Sequence, residues 1–213
     1  ERHEKGVEVT DQQGHTRSYD GVVLASHADE SLAMLKDPDE AERALLGAFH
    51  YRPNRALLHS DERLMPKRRA AWSSWNYLTQ SERDTASVSI TYWMNRLQAL
   101  QAKRNYFVTL NPLVEPESEF VHYETMYTHP VFNQDTRVAQ ASLGRLQGHR
   151  HCWYCGAWMG YGFHEDGLGS AVEAIAKMGV ALPESIQRAR VLGAPYMRND
   201  QPWSGPGADL INS

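Results

Sequence analysis

Apolar residues near the start of the chain follow a strand pattern. Val7 and Val9 alternate with polar neighbours, residues 11–14 supply turn chemistry, and residues 22–25 form a continuous apolar run. Alternation is typical of a half-exposed strand, and a short continuous run is typical of a buried one. The sequence therefore predicts a hairpin that leads into a buried strand.

Two helices are predicted to follow, and the second has the clearer signals. Asp37 suits an N-cap, Pro38 suits the first turn, and Glu40, three residues after Asp37, completes a capping box. Gly47 is a typical residue at which a helix ends. We therefore predict a helix that starts at Asp37 and stops at Gly47.

The middle of the chain, from about Arg55 to Thr128, changes to a period of two. Alternate residues from Val88 to Met94 point one way, and those between them, including Trp93, point the other way. Further strand-like runs lie at residues 56–59, 71–77, 106–110 and 120–127. These runs predict one mixed sheet.

The last third returns to a helical pattern. Within residues 135–147, Ala139, Leu143 and Leu146 share one face, and Gly148 follows as a stop. A strand at residues 151–155 and a helix at residues 168–178 are predicted next. Beyond Gly179 the chain is rich in Pro, Gly, Asn and Ser, which predicts a surface tail.

The composition is that of a folded soluble protein. Hydrophobic residues make up 41% of the 213 residues, with six Trp and ten Tyr, so the chain can bury one large core or two modest ones. The net charge of −4 gives no electrostatic case for nucleic acid. No run approaches the roughly 20 apolar residues of a membrane span, and residues 1–5 are too polar for a signal peptide. We expect a cytoplasmic location.

The cysteines and histidines do not predict a metal or redox centre. Cys152 and Cys155 lie three apart, and residues an odd number apart in a strand project to opposite faces. The ten histidines lack compact ligand spacing. There is also no Gly-x-Ser-x-Gly elbow to support a hydrolase.

The segment from residue 152 to residue 174 has the strongest chemical signal. Its pattern is a short buried strand, a glycine-rich turn and a helix that begins on small residues. The start of a helix leaves backbone N–H groups unpaired and has the positive end of the macrodipole, so a glycine-lined approach suits an electron-rich ligand. Glycines that serve only tight packing are the alternative.

This segment resembles the C-terminal flavin-binding signature of the flavin-containing amine oxidase superfamily. Residues 155–157 correspond to its Ala-Gly-Glu-like tripeptide, with Ala157 where many relatives have an acidic or hydroxyl residue. Residues 167–174 correspond to its glycine-rich loop and helix, and residues 162–165 can be laid on its Gly-aromatic-x-Glu segment. Residues 6–26 resemble the hairpin by which these enzymes re-enter the flavin domain. Similarity at residues 53–59, 75–77 and 91–95 points to a bacterial branch of predicted NAD/FAD-binding proteins.

The resemblance implies an FAD cofactor. Gly156 and Ala157 would lie beside its ribityl and pyrophosphate part, and Phe163 and His164 would lie near the flavin ring. The helix start near Gly169 would face the flavin N1 and C2 carbonyl, where a positive dipole stabilises the reduced flavin. The complete set of expected cofactor-binding residues is Gly156, Ala157, Phe163, His164, Gly167, Leu168, Gly169 and Ala171.

The resemblance also implies an α/β (α+β) fold that combines part of a Rossmann-like FAD-binding domain with a mixed-sheet substrate domain. Residues 1–30 and 135–179 would belong to the FAD-binding domain, residues 31–134 to the substrate-binding domain, and residues 180–213 to a surface tail. No strand is followed by G-x-G-x-x-G, and the first residue is Glu1 rather than Met. We expect the N-terminal half of the same protein to supply the missing dinucleotide-binding βαβ unit.

The implied activity is transfer of a hydride from a substrate C–H bond to flavin N5. Trp75, Tyr77, Tyr92 and Trp93 are candidate walls of the substrate pocket. No catalytic residue is assigned, because neither Lys67 nor Lys103 matches the local pattern of the lysine that reaches flavin N5 in amine oxidases. Three hypotheses stay open: oxidation of a small-molecule amine, oxidation or desaturation of an unsaturated acyl lipid or isoprenoid, and a non-catalytic fragment that does not bind FAD on its own.

Basic residues within 63–69 precede Trp72 and Trp75. One explanation is a solvated turn ahead of a strand. The other is a basic, aromatic lip that makes a peripheral contact with an anionic membrane surface.

Overall fold

The computed structural model describes residues 1–79, 88–182 and 184. Backbone contacts divide the described chain into two units. The first contains Glu1–His50 and the described residues from Pro130 onward, and the second contains Tyr51–His129. Helices and several sheets together confirm the predicted α/β (α+β) class. Almost all of the predicted tail lies outside the described residues.

The first unit begins with an antiparallel sheet of β1 (Arg2–His3), β2 (Gly6–Thr10) and β3 (Thr16–Tyr19). The Asp11 side chain accepts hydrogen bonds from the amides of Gln13 (2.8 Å) and His15 (2.9 Å), which fixes the predicted turn between β2 and β3. β4 (Val22–Leu24) then pairs in parallel with β10 (Cys152–Tyr154). The predicted hairpin and the strand after it are therefore confirmed.

Two helices follow β4: α1 (Ala28–Met34) and α2 (Glu40–Gly47). The predicted cap of α2 is wrong by two residues. Asp39 accepts from the Glu42 amide and Glu42 accepts from the Asp39 amide, each at 2.9 Å, so these two residues form the capping box. Asp37 is unavailable because its carboxylate binds Arg2 and Arg150, which are distant in sequence.

The end of the first unit contains α4 (Gln134–Ser142), a 3-10 turn (Leu143–Arg145), β10 and α5 (His164–Lys177). Ala139, Leu143 and Leu146 are all buried, as the helical pattern predicted. Gly148 has a φ of 84°, a left-handed conformation that glycine adopts without strain and that ends the helical segment.

The second unit is built on a five-stranded sheet with the strand order β6-β7-β8-β5-β9. Its elements are β5 (His50–His59), β6 (Trp75–Thr79), β7 (Val88–Trp93), α3 (Met94–Leu97), β8 (Phe107–Leu110) and β9 (Val121–Val131). The β5–β8, β6–β7 and β7–β8 pairings are antiparallel. The eight residues between β6 and β7 are too few for the crossover that a parallel pair needs.

One face of this sheet buries a row of polar side chains. Thr109 is hydrogen-bonded to His59 (2.7 Å) and to Thr91 (2.9 Å), and Asn76 donates to the Thr91 carbonyl (3.2 Å). All four residues are buried. The row is tolerated in a core because its members satisfy one another.

Helices α1 and α2 group with the first unit, so the second unit starts at Tyr51 rather than at residue 31. These helices contact each other, and α2 contacts α4, which explains the grouping. The assignment of the two units to FAD and to substrate stays a prediction. In the described part of the chain, no helix combines the length and the apolar character that a bilayer crossing requires.

Candidate functional site

The candidate site lies where β10 leads through a loop into α5. β10 runs parallel to β4 in the register Cys152↔Val22 and Tyr154↔Leu24, and the Cys155 amide continues the pairing to the Leu24 carbonyl at 3.0 Å. In parallel sheets, ligands bind in the crevice outside the carboxyl ends of the strands. Residues 156–163 occupy this position before α5 begins.

The start of α5 differs from the predicted one. The helix begins at His164, with Phe163 as N-cap, and not at residue 168. The Gly167 amide already donates to the Phe163 carbonyl (3.2 Å), so Gly167, Leu168, Gly169 and Ala171 lie inside the helix. The helix start that was expected near Gly169 therefore lies at His164, and the Gly169 amide lies within the helical hydrogen-bond pattern.

Asp166 fixes this earlier start. Its Oδ2 accepts hydrogen bonds from the amides of Tyr161 (3.0 Å) and Phe163 (2.9 Å). Asp166 and Glu165 are both acidic residues of the first turn. Their charges offset the positive end of the helix dipole, so this helix start suits a neutral carbonyl oxygen better than a phosphate.

Most amides of the loop are used internally. Those of Gly156, Met159, Gly160, Tyr161, Gly162 and Phe163 all donate to oxygens of residues 156–170. Among the described residues of the segment, the amides of Ala157, Trp158, His164 and Glu165 take no part in these bonds, and Trp158 is buried. The helix start therefore presents three donors, and two of them belong to residues that the sequence singled out.

Two glycines of this segment have opposite structural requirements. A Cβ at Gly160 would lie 2.5 Å from the Asp166 carboxyl carbon, so the fold itself requires glycine there. A Cβ at Gly167 would lie 3.5 Å from the Ala157 nitrogen, which is an ordinary contact. Packing therefore does not explain Gly167.

Large apolar side chains are exposed in and beside the same segment. Phe163 is 57% exposed, Leu168 55% and Tyr161 52%. Phe132 is 40% exposed, and its ring lies against Gly162. Exposed apolar groups of this size often mark a ligand or partner site.

The predicted substrate-pocket residues do not all share a face of the second unit's sheet. Trp75 pairs with Tyr92 and Tyr77 pairs with Ile90, so Trp75, Tyr77 and Tyr92 lie on one side. Trp93 lies on the other side, where it packs against Trp72 with ring centroids 5.3 Å apart. Trp93 is thus partly buried against the core residues Met65, Trp72 and Phe107, on the side opposite the other three, and its place in the predicted pocket stays a prediction.

The aromatic face is the more exposed side of the sheet. Trp75 is 45% exposed and Tyr77 is 62% exposed, while Thr91 and Thr109 on the opposite face are fully buried. The buried side also carries Leu57 and Phe107, so both sides of this sheet have apolar residues and the exposed side presents an aromatic surface.

The two cysteines are free and buried, and burial raises the pKa of both thiols. A raised pKa disfavours the thiolate that redox or metal chemistry requires. Cys152 and Cys155 are therefore packing residues of the strand and its extension.

No family model matches the sequence, and no curated protein matches it. Comparison with solved structures does give a match. The fold is similar to that of a CLA-producing fatty acid isomerase from P. acnes. The identity is 13% and the TM-score is 0.58, over 84% of this chain and 46% of the other chain. The chain thus spans less than half of that protein, and at this identity the match shows the fold alone.

Sequence reasoning missed two residues that hold the loop in place. The Ser170 hydroxyl accepts from the Gly156 amide at 2.9 Å. The Gln140 side-chain amide donates to the carbonyls of Trp158 (3.0 Å) and Gly160 (2.7 Å). The available signal was a polar residue on the apolar face of each helix, since such a residue requires a partner where it packs.

Proposed function

We propose that the chain is the C-terminal part of an FAD-dependent oxidoreductase. The observation that carries the proposal is the start of α5, where the amides of Ala157, His164 and Glu165 are available beside a parallel strand pair. The acidic first turn suits a carbonyl of the flavin ring, and the exposed Phe163 and Tyr161 suit its flat surface. The fold match is compatible with an enzyme of this type.

In this proposal, Ala157, His164 and Glu165 would hold the C2 carbonyl side of the ring by backbone donation, and Phe163 would cover an apolar edge. When bound, FAD would supply a hydride acceptor at N5 for a substrate C–H bond. Ser170 and Gln140 would keep the loop rigid, which lowers the cost of ordering the site on binding. The pyrophosphate would be held outside this chain, by the N-terminal half of the protein.

We infer that an apolar substrate, such as an unsaturated acyl chain or an isoprenoid, is favoured over an amine. Trp75, Tyr77 and Tyr92 form an aromatic face that suits hydrocarbon. Lysines occur at positions 5, 36, 67, 103 and 177, and every one is exposed. A lysine shielded from solvent, as an amine oxidase would place near N5, is therefore not provided by this chain.

The test uses proline at the first helical position. His164→Pro removes one proposed donor, yet the first residue of a helix has no intrahelical partner for its amide. Phe163 has φ −88° and ψ 160°, a conformation that the residue before a proline prefers. The fold should therefore tolerate this substitution.

We expect His164→Pro to weaken FAD binding about tenfold, the effect of leaving a buried carbonyl without its donor. His164→Ala, which keeps the amide, should bind FAD as the unchanged protein does. Glu40→Pro, the same replacement at the first position of α2, is the matched control. FAD affinity is measured by quenching of flavin fluorescence. Equal affinity of His164→Pro and His164→Ala, or no FAD binding by the unchanged protein, would contradict the proposal.

A further inference from the structure

Two connections of the second unit lie at the same end of its sheet. Residues 60–74 connect the end of β5 to the start of β6, and residues 94–106 connect the end of β7 to the start of β8. The register pairs Trp75 with Tyr92 and Phe107 with both His59 and Trp93. All four strand ends are therefore level with one another.

Side chains join these connections. Arg96 donates to the Trp72 carbonyl at 3.1 Å, and Asn105 donates to Glu62 at 2.6 Å. The Arg69 guanidinium lies 4.0 Å above the centre of the Trp72 ring. The connections therefore form one continuous surface.

The charge of this surface is opposite to that of the chain. Its two connections carry seven basic residues and two acidic ones, Asp61 and Glu62, although the net charge of the whole chain is −4; Arg63 is paired with Asp61 at 2.6 Å and is left out of the set defined here. Arg69 is paired with Glu62 at 3.3 Å; in the described ranges, no other member has a carboxylate within ion-pair distance. We call this set the basic end: Lys67, Arg68, Arg69, Arg96, Lys103 and Arg104.

Exposed apolar side chains lie among these cations. Leu97 is 44% exposed and Leu100 is 38% exposed, and both lie between Arg96 and Lys103 in sequence. Asn95 holds the loop closed, since it donates to the Arg104 carbonyl (2.8 Å) and accepts from the Tyr106 amide (2.7 Å). The leucines are thus presented by a structured loop.

We propose that the basic end binds the surface of an anionic lipid bilayer, with Leu97 and Leu100 entering the interfacial layer. Cations beside apolar side chains are the combination that anionic membranes attract and retain. A nucleic acid would use the charges but not the leucines. The proposal does not depend on FAD.

The test is co-sedimentation of the purified protein with vesicles of phosphatidylcholine alone or mixed with phosphatidylserine. We expect binding to the mixed vesicles that weakens as salt is added, because exposed charges are screened. Each cation contributes about 1 kcal/mol near such a surface, which is about fivefold in partitioning. The triple variant Lys67→Gln, Arg68→Gln, Lys103→Gln should therefore lose about a hundredfold.

Two further variants separate a membrane from other anions. Leu97→Ser with Leu100→Ser should lower partitioning about tenfold while all charges remain. The charge control is Lys5→Gln, Arg17→Gln, Arg43→Gln, and the apolar control is Met34→Ser with Val138→Ser; all five positions are exposed. Both controls should bind as the unchanged protein does.

Several outcomes would overturn the proposal. The first is equal binding of the unchanged protein to both vesicle types, and the second is no binding to either type. The third is a loss of vesicle binding that is as large in a control as in the charge or leucine variant that it matches. A fourth is binding to a DNA duplex at least as tightly as to the mixed vesicles, with no effect of the leucine substitutions.

Discussion

A buried ion cluster joins Arg2 of the first strand to Glu42 of α2. The substitution Arg2→Met tests how much this cluster stabilises the fold. The Arg2 side chain is 3% exposed and Glu42 is fully buried. Arg2 binds the Glu42 carboxylate, the Asp37 carboxylate (3.2 Å) and the Asp37 carbonyl (2.6 Å). Burial opposes the charge of Arg2, but these partners outweigh it and raise the Arg2 pKa. Arg2 is therefore charged in the folded protein.

The expected loss of stability in Arg2→Met depends on the hydrogen bonds that Glu42 keeps. Removing one partner of a buried ion pair costs about 3–5 kcal/mol. Without Arg2, Glu42 still accepts from the Tyr154 hydroxyl (3.1 Å) and the Asp39 amide (2.9 Å). We therefore expect the lower end, about 3 kcal/mol, which corresponds to a fall in Tm of about 6–12 °C in a chain of this size.

Urea unfolding followed by circular dichroism measures this change in the free energy of unfolding. Arg43→Met, at an exposed position of α2, is the control and should change stability by less than about 0.5 kcal/mol. Adding Glu42→Gln to Arg2→Met should recover at least about 1 kcal/mol, because it removes the uncompensated charge. A loss for Arg2→Met no larger than for Arg43→Met, or additive effects in the double variant, would refute the reasoning.

Three other predictions concern single side chains. Burial, partly opposed by Asp61, lowers the His59 pKa from 6.5 to about 4, so stability should fall as the pH drops from about 6.5 through 4. When the urea midpoint of unfolding is plotted against pH, His59→Gln should flatten the curve between pH 6.5 and 4. An unchanged slope would contradict the assignment of this pH dependence to His59. Hydrogen bonds from Arg63 lower the Asp61 pKa from 3.8 to about 2, although burial acts in the opposite direction. The ionised Asp61 therefore contributes to the free energy of unfolding above pH 4, and this contribution is lost as the pH falls towards 2. Asp61→Asn should abolish this pH-dependent loss in the same assay. Gly167→Ala should raise the free energy of unfolding by about 0.5–1 kcal/mol yet weaken FAD binding, because its methyl group would cover the Ala157 amide. Unweakened FAD binding would show that this glycine has no ligand role.

Elements with a long, regular apolar pattern could be predicted from the sequence. Ala139, Leu143 and Leu146 are buried because the helical period places them on one face, and this apolar face packs against the core. Alternation in β7 likewise placed Tyr92 and Trp93 on opposite sides of the sheet. These predictions depend only on local geometry.

Features set by distant partners could not be predicted. The cap of α2 moved to Asp39 because Arg2 and Arg150 occupy Asp37. The start of α5 moved to His164 because Asp166 binds amides of the preceding loop. The buried side of the second unit's sheet includes polar residues, because His59, Thr91 and Thr109 satisfy one another's hydrogen bonds across three strands. The spacing of residue types along the sequence does not predict any of these contacts.

The most direct test of the central claim measures individual amides at the start of α5. We propose amide NMR of the isotope-labelled protein, titrated with FAD. The account predicts that FAD shifts the resonances of Ala157, His164 and Glu165 first and most strongly, while amides used inside the loop, such as that of Gly160, shift less. Saturable FAD binding that leaves these three amides unshifted, or no binding at all, would contradict it.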